Sequence, residues 1–248
     1  MKEVNAYTIL AAGYDVVMEH VDYDLWASYV HGLLTDHHPE AETILELGCG
    51  TGSFALALRQ IERFRYVATD ASAKMIRVAQ AKAELEGADD IQFAQVDFTD
   101  FRLEGQVDAV LLLYDGLNYL LDEEAVMSLF RCASGALKPG GVFVFDQSTP
   151  ANSINNEAYF EDSGEAEGFS YERHSRYDPA SRIHTTVFDI EALGKKFREE
   201  HRQRAWSREE VASLAAEAGF ELVAHYQDFS REPVTADTER IHWVLRRP

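Results

Sequence analysis

Between residues 43 and 145 the chain alternates short apolar runs with amphipathic stretches, and few folds accommodate that alternation. The runs are TILEL (43–47), FRYVAT (64–69), IQFAQ (91–95), DAVLLL (108–113) and VFVF (142–145). Continuously apolar strands of this kind need cover on both faces, as in a parallel sheet. The intervening stretches at 51–61 and 72–86 read as helices, the second stopped by Gly87. A third helix is expected from near Asp122, with Val126, Leu129, Phe130, Ala133 and Leu137 on one face. It should end before KPGG (138–141), a Pro and Gly stop signal. A further helix is expected over 24–34. Strand–helix alternation predicts a doubly wound α/β domain.

The pattern changes after residue 150. Residues 151–168 are polar and read as a loop. FSYERHSRY (169–177) and RIHTTVFDIEA (182–192) read as strands joined by a turn at DPAS (178–181), and KKFREEHRQR (195–204) follows. This predicts a small antiparallel β cap of two or three strands over 151–204, lying on the main sheet and too small to fold alone. The α/β pattern then resumes. Ser207 and Glu210 form a capping box, with Val211, Leu214, Ala215 and Ala218 on the buried face and Gly219 at the helix end. FELVAHY (220–226) and RIHWVLR (240–246) read as the last strands. A length of 248 residues suits a single domain, 1–248, carrying this inserted cap.

Composition narrows the partners. With 43 acidic and 23 basic residues the formal charge is −20, which disfavours a nucleic-acid partner, since phosphate binding needs clustered Lys and Arg. No apolar run approaches the ~20 residues that span a bilayer, and the N-terminal residues lack a signal-peptide pattern, so no membrane partner and a cytoplasmic location are expected. Two cysteines, Cys49 and Cys132, are too few for a disulfide framework or a cysteine zinc site. TDHHPE (35–40) reads as a helix exit, where histidine suits the C-terminal dipole, and no metal site is expected there.

The strand at 43–47 runs into ELGCGTG (46–52), a glycine turn at a strand's carboxyl end, where open α/β sheets bind ligands. A phosphate-cradling P-loop needs a Lys at the end of its turn, and no lysine occurs between Gly48 and Lys74. A dinucleotide G-x-G-x-x-G would place glycine at Ser53, and Glu46 is awkward beside a pyrophosphate. A cofactor without phosphate fits better. S-adenosylmethionine carries a cationic sulfonium and an ammonium, beside which a carboxylate is favourable. Asp70, ending the second strand, can accept both ribose hydroxyls, although NAD would use such a residue equally. After the third strand, Asp97 can accept from an adenine amine and Phe98 can edge the ring.

ILELGCGTGSFALAL (44–58), Asp70, VDFTDF (96–101) and LKPGGVFVFD (137–146) together resemble the successive motifs of class I S-adenosylmethionine-dependent methyltransferases. The resemblance covers most of the chain. It implies a doubly wound, Rossmann-like, seven-stranded sheet whose last strand is antiparallel and inserted next to the fifth. It also implies that Glu46, Gly48, Gly50 and Gly52 surround the methionine part of S-adenosyl-L-methionine, Asp70 the ribose, and Asp97, Phe98 and Met75 the adenine. YDVVMEHVDYDLWASYV (14–30), LYDGLNYL (113–120) and residues 199–220 are similar to a bacterial subgroup of small methyltransferases. In that subgroup the N-terminal Tyr-Asp segment folds over the cofactor, which makes Tyr14 a candidate wall. The loop at Tyr114 and Asp115 would border the sulfonium and the substrate.

The acceptor is less constrained. The fourth strand is not followed by the Pro-Pro-Tyr pattern of planar-amine methylation, and no Pro-Cys nucleophile marks a cytosine enzyme. Cys49 reads as a small packed residue. The acidic charge and modest cap favour a small-molecule substrate; RNA or protein methylation and non-catalytic cofactor binding are the alternatives. Methyl transfer requires alignment and water exclusion, and a general base only where the acceptor holds its proton. Tyr14, His174 and His201 are the candidates for such catalysis. On strands with period two, Tyr171 and Tyr177 share one face of the cap, and His174 and Arg176 the other.

Overall fold

The computed structural model describes residues 1–248. In chain order the elements are β1 (Lys2–Val4), a 3-10 turn (Leu10–Gly13), α1 (Tyr14–Val17), α2 (Tyr23–His37), β2 (Thr43–Leu47), α3 (Ser53–Ile61), β3 (Arg65–Asp70), α4 (Ala73–Leu85), β4 (Ile91–Gln95) and β5 (Val107–Leu112). A 3-10 turn (Gly116–Tyr119) leads to α5 (Glu123–Ala136), β6 (Leu137–Ser148), α6 (Pro150–Asn155), a third 3-10 turn (Glu157–Tyr159), β7 (Glu161–Ala166), β8 (Phe169–Asp178), β9 (Ile183–Ala192) and β10 (Lys195–Arg204). The chain closes with α7 (Arg208–Glu217), β11 (Glu221–Gln227) and β12 (Arg240–Arg246). No helix is long and apolar enough to cross a membrane.

The main sheet has seven strands in the order β11-β12-β6-β5-β2-β3-β4. β12 is antiparallel to both β6 and β11, and β2 to β6 are parallel, so the sheet has the topology that the methyltransferase resemblance implies. Every residue of β5 is buried, which is why its run is apolar without alternation except at Asp108, whose carboxylate is bonded by Thr43 and Lys138. Helices cover both faces. Residues of α2, α3 and α4 build one apolar cluster and those of α5 and α7 another of the same size, 24 residues each. The caps follow the sequence: Asp122 accepts from the Ala125 N–H, Ser72 from Met75, and Ser207 and Glu210 form the expected box.

β6 begins earlier than the KPGG signal suggests. Gly140 takes a left-handed φ of +82°. Its N–H donates to the Arg247 carbonyl while the Arg247 N–H donates to Gly141. Pairing with the chain terminus therefore keeps this Gly-rich segment extended.

The cap is larger than expected. Residues 151–168 are not one loop: Pro150 opens the short helix α6, and β7 pairs antiparallel with β8 along Glu161–Ala166. β7 is an edge strand with almost every residue exposed, so it carries no apolar alternation that a sequence reading could detect. With β1 added in parallel on β10, the cap is a five-stranded sheet, β1-β10-β9-β8-β7. Nor does it lie on the main sheet. Phe169, Tyr171, Phe188 and Ile190 on its inner face pack with Leu10, Val17 and Met18 of the N-terminal segment. That segment is thus held between the cap and the carboxyl ends of the main strands.

Candidate active site

The glycine turn is built by backbone conformation. Gly48, Gly50 and Gly52 have φ of +68°, +55° and +77°, a region other residues enter only at a cost. The turn is tied to the neighbouring strand end, because Asp70 accepts from the Gly50 N–H at 3.0 Å and from the Ser72 N–H at 2.7 Å. Burial pushes the Asp70 carboxyl up, and these two N–H groups oppose the shift. Each of its oxygens keeps a further lone pair.

Glu46 is the penultimate residue of β2 and is 2% exposed. It accepts from the Tyr66 hydroxyl at 2.9 Å. Burial pushes its carboxyl up to about 8, so it holds a proton at neutral pH. Glu46, Gly48, Gly50, Tyr14, Trp26 and Tyr114 help line a cavity of about 50 Å³, and no Lys or Arg lines it. Cys49 also lines it, and burial raises its thiol pKa. Asp15 accepts from the Thr51 hydroxyl at 2.6 Å and pairs with Lys82 at 2.6 Å, which pins the N-terminal segment onto the glycine turn.

A second cavity, of about 370 Å³, lies beneath the cap. Tyr14 and Tyr114 wall both cavities. Tyr7, Tyr119, Asp115, Arg173, His184 and His201 are among its other lining residues. Its floor is the loop after β5, where Tyr114 and Asp115 take consecutive left-handed φ values of +62° and +64°. That strained backbone has a visible restraint. The Tyr114 and Asp115 N–H groups donate to Asp146 at 2.6 and 3.1 Å. Asp146 is fully buried, and Arg240 of β12 donates both to it and to Asp115. Burial pushes the Asp146 carboxyl up, and the Arg240 guanidinium opposes this. Asn118 joins the loop to both sheets, donating to the carbonyls of Ser148 (2.9 Å) and Arg204 (2.8 Å).

The expected site residues separate into groups. Tyr14, Glu46, Gly48, Gly50, Tyr114 and Asp115 converge at the two cavities, with Asp70 and Gly52 bonded into the same turn. Asp97 is exposed and spends one oxygen on the Thr99 N–H (2.9 Å) and hydroxyl (2.7 Å). Phe98 packs against the core, and Met75 is 1% exposed; none of these three lines either cavity. His201 lies on the inner face of the cap, 3% exposed. His174 does not: it faces outward, about half exposed, and pairs with Glu161. Strand alternation puts Arg173 and Ser175 at the cavity instead. Arg176 is likewise exposed. At the helix exit, His37 bonds the Tyr226 hydroxyl at 3.1 Å.

Asp146, Arg240, Tyr7, Tyr119 and Glu199 were not legible as site residues. Asp146 directly follows the apolar run VFVF (142–145), and that carboxylate was the one available signal.

A backbone cradle that bars side chains, a carboxylate with lone pairs to spare for a diol, and a cation-free cavity around Glu46 fit a cofactor with a ribose and a positively charged methionine part. Comparison with known proteins agrees. Residues 44–141 match the family model described as "Methyltransferase domain". The chain is 31% identical to "Putative methyltransferase YqeM" of Bacillus subtilis (strain 168), the alignment covering 97% of each chain. It is 27% identical to the "Cypemycin N-terminal methyltransferase" of Streptomyces sp, over 91% of this chain and 94% of that one. An S-adenosylmethionine-dependent methyltransferase structure from Clostridium acetobutylicum ATCC 824 superposes with a TM-score of 0.80 at 22% identity, covering 98% and 99% of the two chains.

The fold is that of a class I methyltransferase. The chain belongs to the S-adenosylmethionine-dependent members of that class, among the small bacterial ones, and its cofactor is S-adenosylmethionine.

Proposed function

We propose that the enzyme methylates an amine nitrogen of a small molecule seated in the 370 Å³ cavity. The observation that carries this reading is the pair of shared walls: Tyr14 and Tyr114 border both that cavity and the one at the glycine turn. A cavity of this size accommodates a small ligand. The net charge of −20 disfavours RNA. A nitrogen acceptor is supported by a relative named as the N,N-dimethyltransferase of a dTDP-amino sugar, 27% identical over half of each chain.

When bound, the cofactor supplies a methyl group already activated by its sulfonium. The protein then has to hold, align and dry the reacting pair. Glu46 and the turn at Gly48, Gly50 and Gly52 hold the methionine part. Asp70 accepts from the ribose hydroxyls, and the adenine end lies outside the two cavities, toward the exposed Asp97 and half-buried Phe98, with Met75 buried behind them. A cation arriving beside Glu46 favours its ionised form, so the residue releases its proton on binding. Tyr14 and Tyr114 form the gate between methyl donor and acceptor. The cap and N-terminal segment exclude water from the larger cavity.

The test is methyl transfer by the purified protein, read by mass. Parallel panels contain small amines, small alcohols, a peptide mixture and tRNA, with S-adenosylhomocysteine affinity measured by calorimetry. Methylated small amines are expected. Product confined to tRNA or to the peptides overturns the small-molecule reading, and product confined to alcohols overturns the choice of nitrogen.

A further inference from the structure

At neutral pH an aliphatic amine does not present the electron pair that methylation needs. Its conjugate acid resembles that of lysine, with a pKa near ~10.4, so nearly all of it is protonated. Something in the cavity must take that proton.

A hydrogen-bonded line runs from the cavity into the cap. Tyr7 and Tyr119 share a hydrogen bond through their hydroxyls. The Tyr119 hydroxyl lies 3.2 Å from Nδ1 of His201. Beyond the imidazole, Nε2 lies 3.5 Å from Oε2 of Glu199, a contact short of hydrogen-bond geometry, and both atoms are buried without a hydrogen-bond partner. Glu199 is fully buried, and its other oxygen accepts from the Ile9 and Leu10 N–H groups at 2.5 and 3.0 Å. Those bonds fix the carboxylate while leaving Oε2 for the imidazole. Glu199 and His201 stand two residues apart on β10, so strand alternation aims both inward. The Tyr7 ring meets the imidazole edge-on at 4.7 Å, and Phe188 closes another side at 5.3 Å. Tyr7, Tyr119 and His201 all reach the cavity; Glu199 does not.

We propose that Tyr119, His201 and Glu199 form a proton relay that deprotonates an ammonium acceptor in this cavity. The inference rests on the reading of the site given above. The acceptor's N–H proton passes to the Tyr119 oxygen as the phenol's own proton passes to Nδ1 of His201. The freed nitrogen pair forms the C–N bond as the methyl C–S bond breaks, and that bond's electrons leave on sulfur. His201 ends as imidazolium, its Nε2–H facing Glu199, and returns its proton to solvent after release. Tyr119 and His201 are catalytic residues on this reading. Glu199 is a positioning residue, selecting the tautomer with hydrogen on Nε2 and a free pair on Nδ1. A buried histidine between a hydroxyl and a carboxylate is a recurrent arrangement for moving a proton. Burial holds the Tyr7 and Tyr119 phenols above their usual range, so both reside as hydroxyls. The other charged or titratable groups facing the relay are Asp70, Asp115 and Tyr14, which act on the two phenols across the cavity.

Two measurements test the relay on the 248-residue protein. The first needs no acceptor: nitrogen NMR of histidine-labelled protein with S-adenosylhomocysteine, the His201 signals identified with H201Q or H201N. At pH 7 hydrogen is expected on Nε2 and none on Nδ1. Y119F should move the Nδ1 resonance, and E199Q should shift the tautomer balance. Hydrogen on Nδ1 in the unsubstituted protein, or no response to Y119F, overturns the relay. The second is the rate on a methylated amine from the panel above. H201Q should be roughly 100-fold slower at pH 7. It should converge on the unsubstituted enzyme near pH 9.5, where more of the amine is free. An equal deficit at both pH values overturns the base role. Failure of the small-amine panel itself counts against the proposed acceptor, whereas the NMR result speaks to the relay alone.

Discussion

Arg240 donates to the Asp115 carboxylate at 2.5 Å and also reaches the buried Asp146. The inserted last strand therefore clamps the loop that floors the larger cavity. Asp146 in turn holds the two left-handed residues Tyr114 and Asp115 through their N–H groups. Replacing Arg240 leaves a fully buried carboxylate without its cation. R240M should lose about 3 kcal/mol of stability, the low end for a broken buried pair because Arg240 is 19% exposed. Urea denaturation measures this; a loss below about 1 kcal/mol would show that the clamp adds little.

Asp70 is the carboxylate proposed for the ribose. D70A removes two prospective charge-assisted hydrogen bonds, each worth about 1.5–3 kcal/mol. S-adenosylhomocysteine affinity should fall by at least about 100-fold, while circular dichroism reports an intact fold. Unchanged affinity in calorimetry would remove Asp70 from that role.

Glu46 predicts a pH dependence. Its carboxyl is raised by burial from 4.5 to about 8, so between those values the folded protein binds more protons than the unfolded chain. Its contribution to stability is fully present below about pH 4.5 and is lost as pH rises through about 8. E46Q cannot titrate and should flatten that slope. Denaturation midpoints that fall equally steeply with pH in E46Q would assign the dependence to other groups.

Gly52 has a φ of +77°, and a Cβ there would lie 3.1 Å from that of Ala79. G52A combines a left-handed penalty of ~1–2 kcal/mol with local overpacking. A lower melting temperature and weaker S-adenosylhomocysteine binding are expected. A melting temperature equal to that of the unsubstituted protein would mean that the turn relaxes freely.

His174 points to solvent beside Glu161. H174A should change stability by no more than about 0.5 kcal/mol and leave methyl transfer intact. A large fall in rate would restore it as a catalytic candidate.

How much was legible depended on the range of the forces involved. The parallel strands were visible because burial on both faces makes each run apolar on its own, as in β5. Ser207 was visible as a cap because a capping box is satisfied within three residues. β7 was hidden because an exposed edge strand has no buried face to mark it. The turn at Gly48, Gly50 and Gly52 was readable because left-handed backbone selects glycine. His174 and His201 could not be ranked by type; only the side of the cap each one faces separates them.

The sequence by itself determined the α/β alternation, the glycine turn and the carboxylates at the ends of β2 and β3. Each follows from interactions local to a strand, a cap or a turn. Tertiary structure alone decided the rest. Arg240 meets Asp115 across 125 positions of chain, and His201 meets Tyr119 across 82. No local preference of backbone or side chain encodes such a meeting. It arises when β12 inserts beside β6 and the cap folds over the N-terminal segment, burying polar groups that must then find partners in one another.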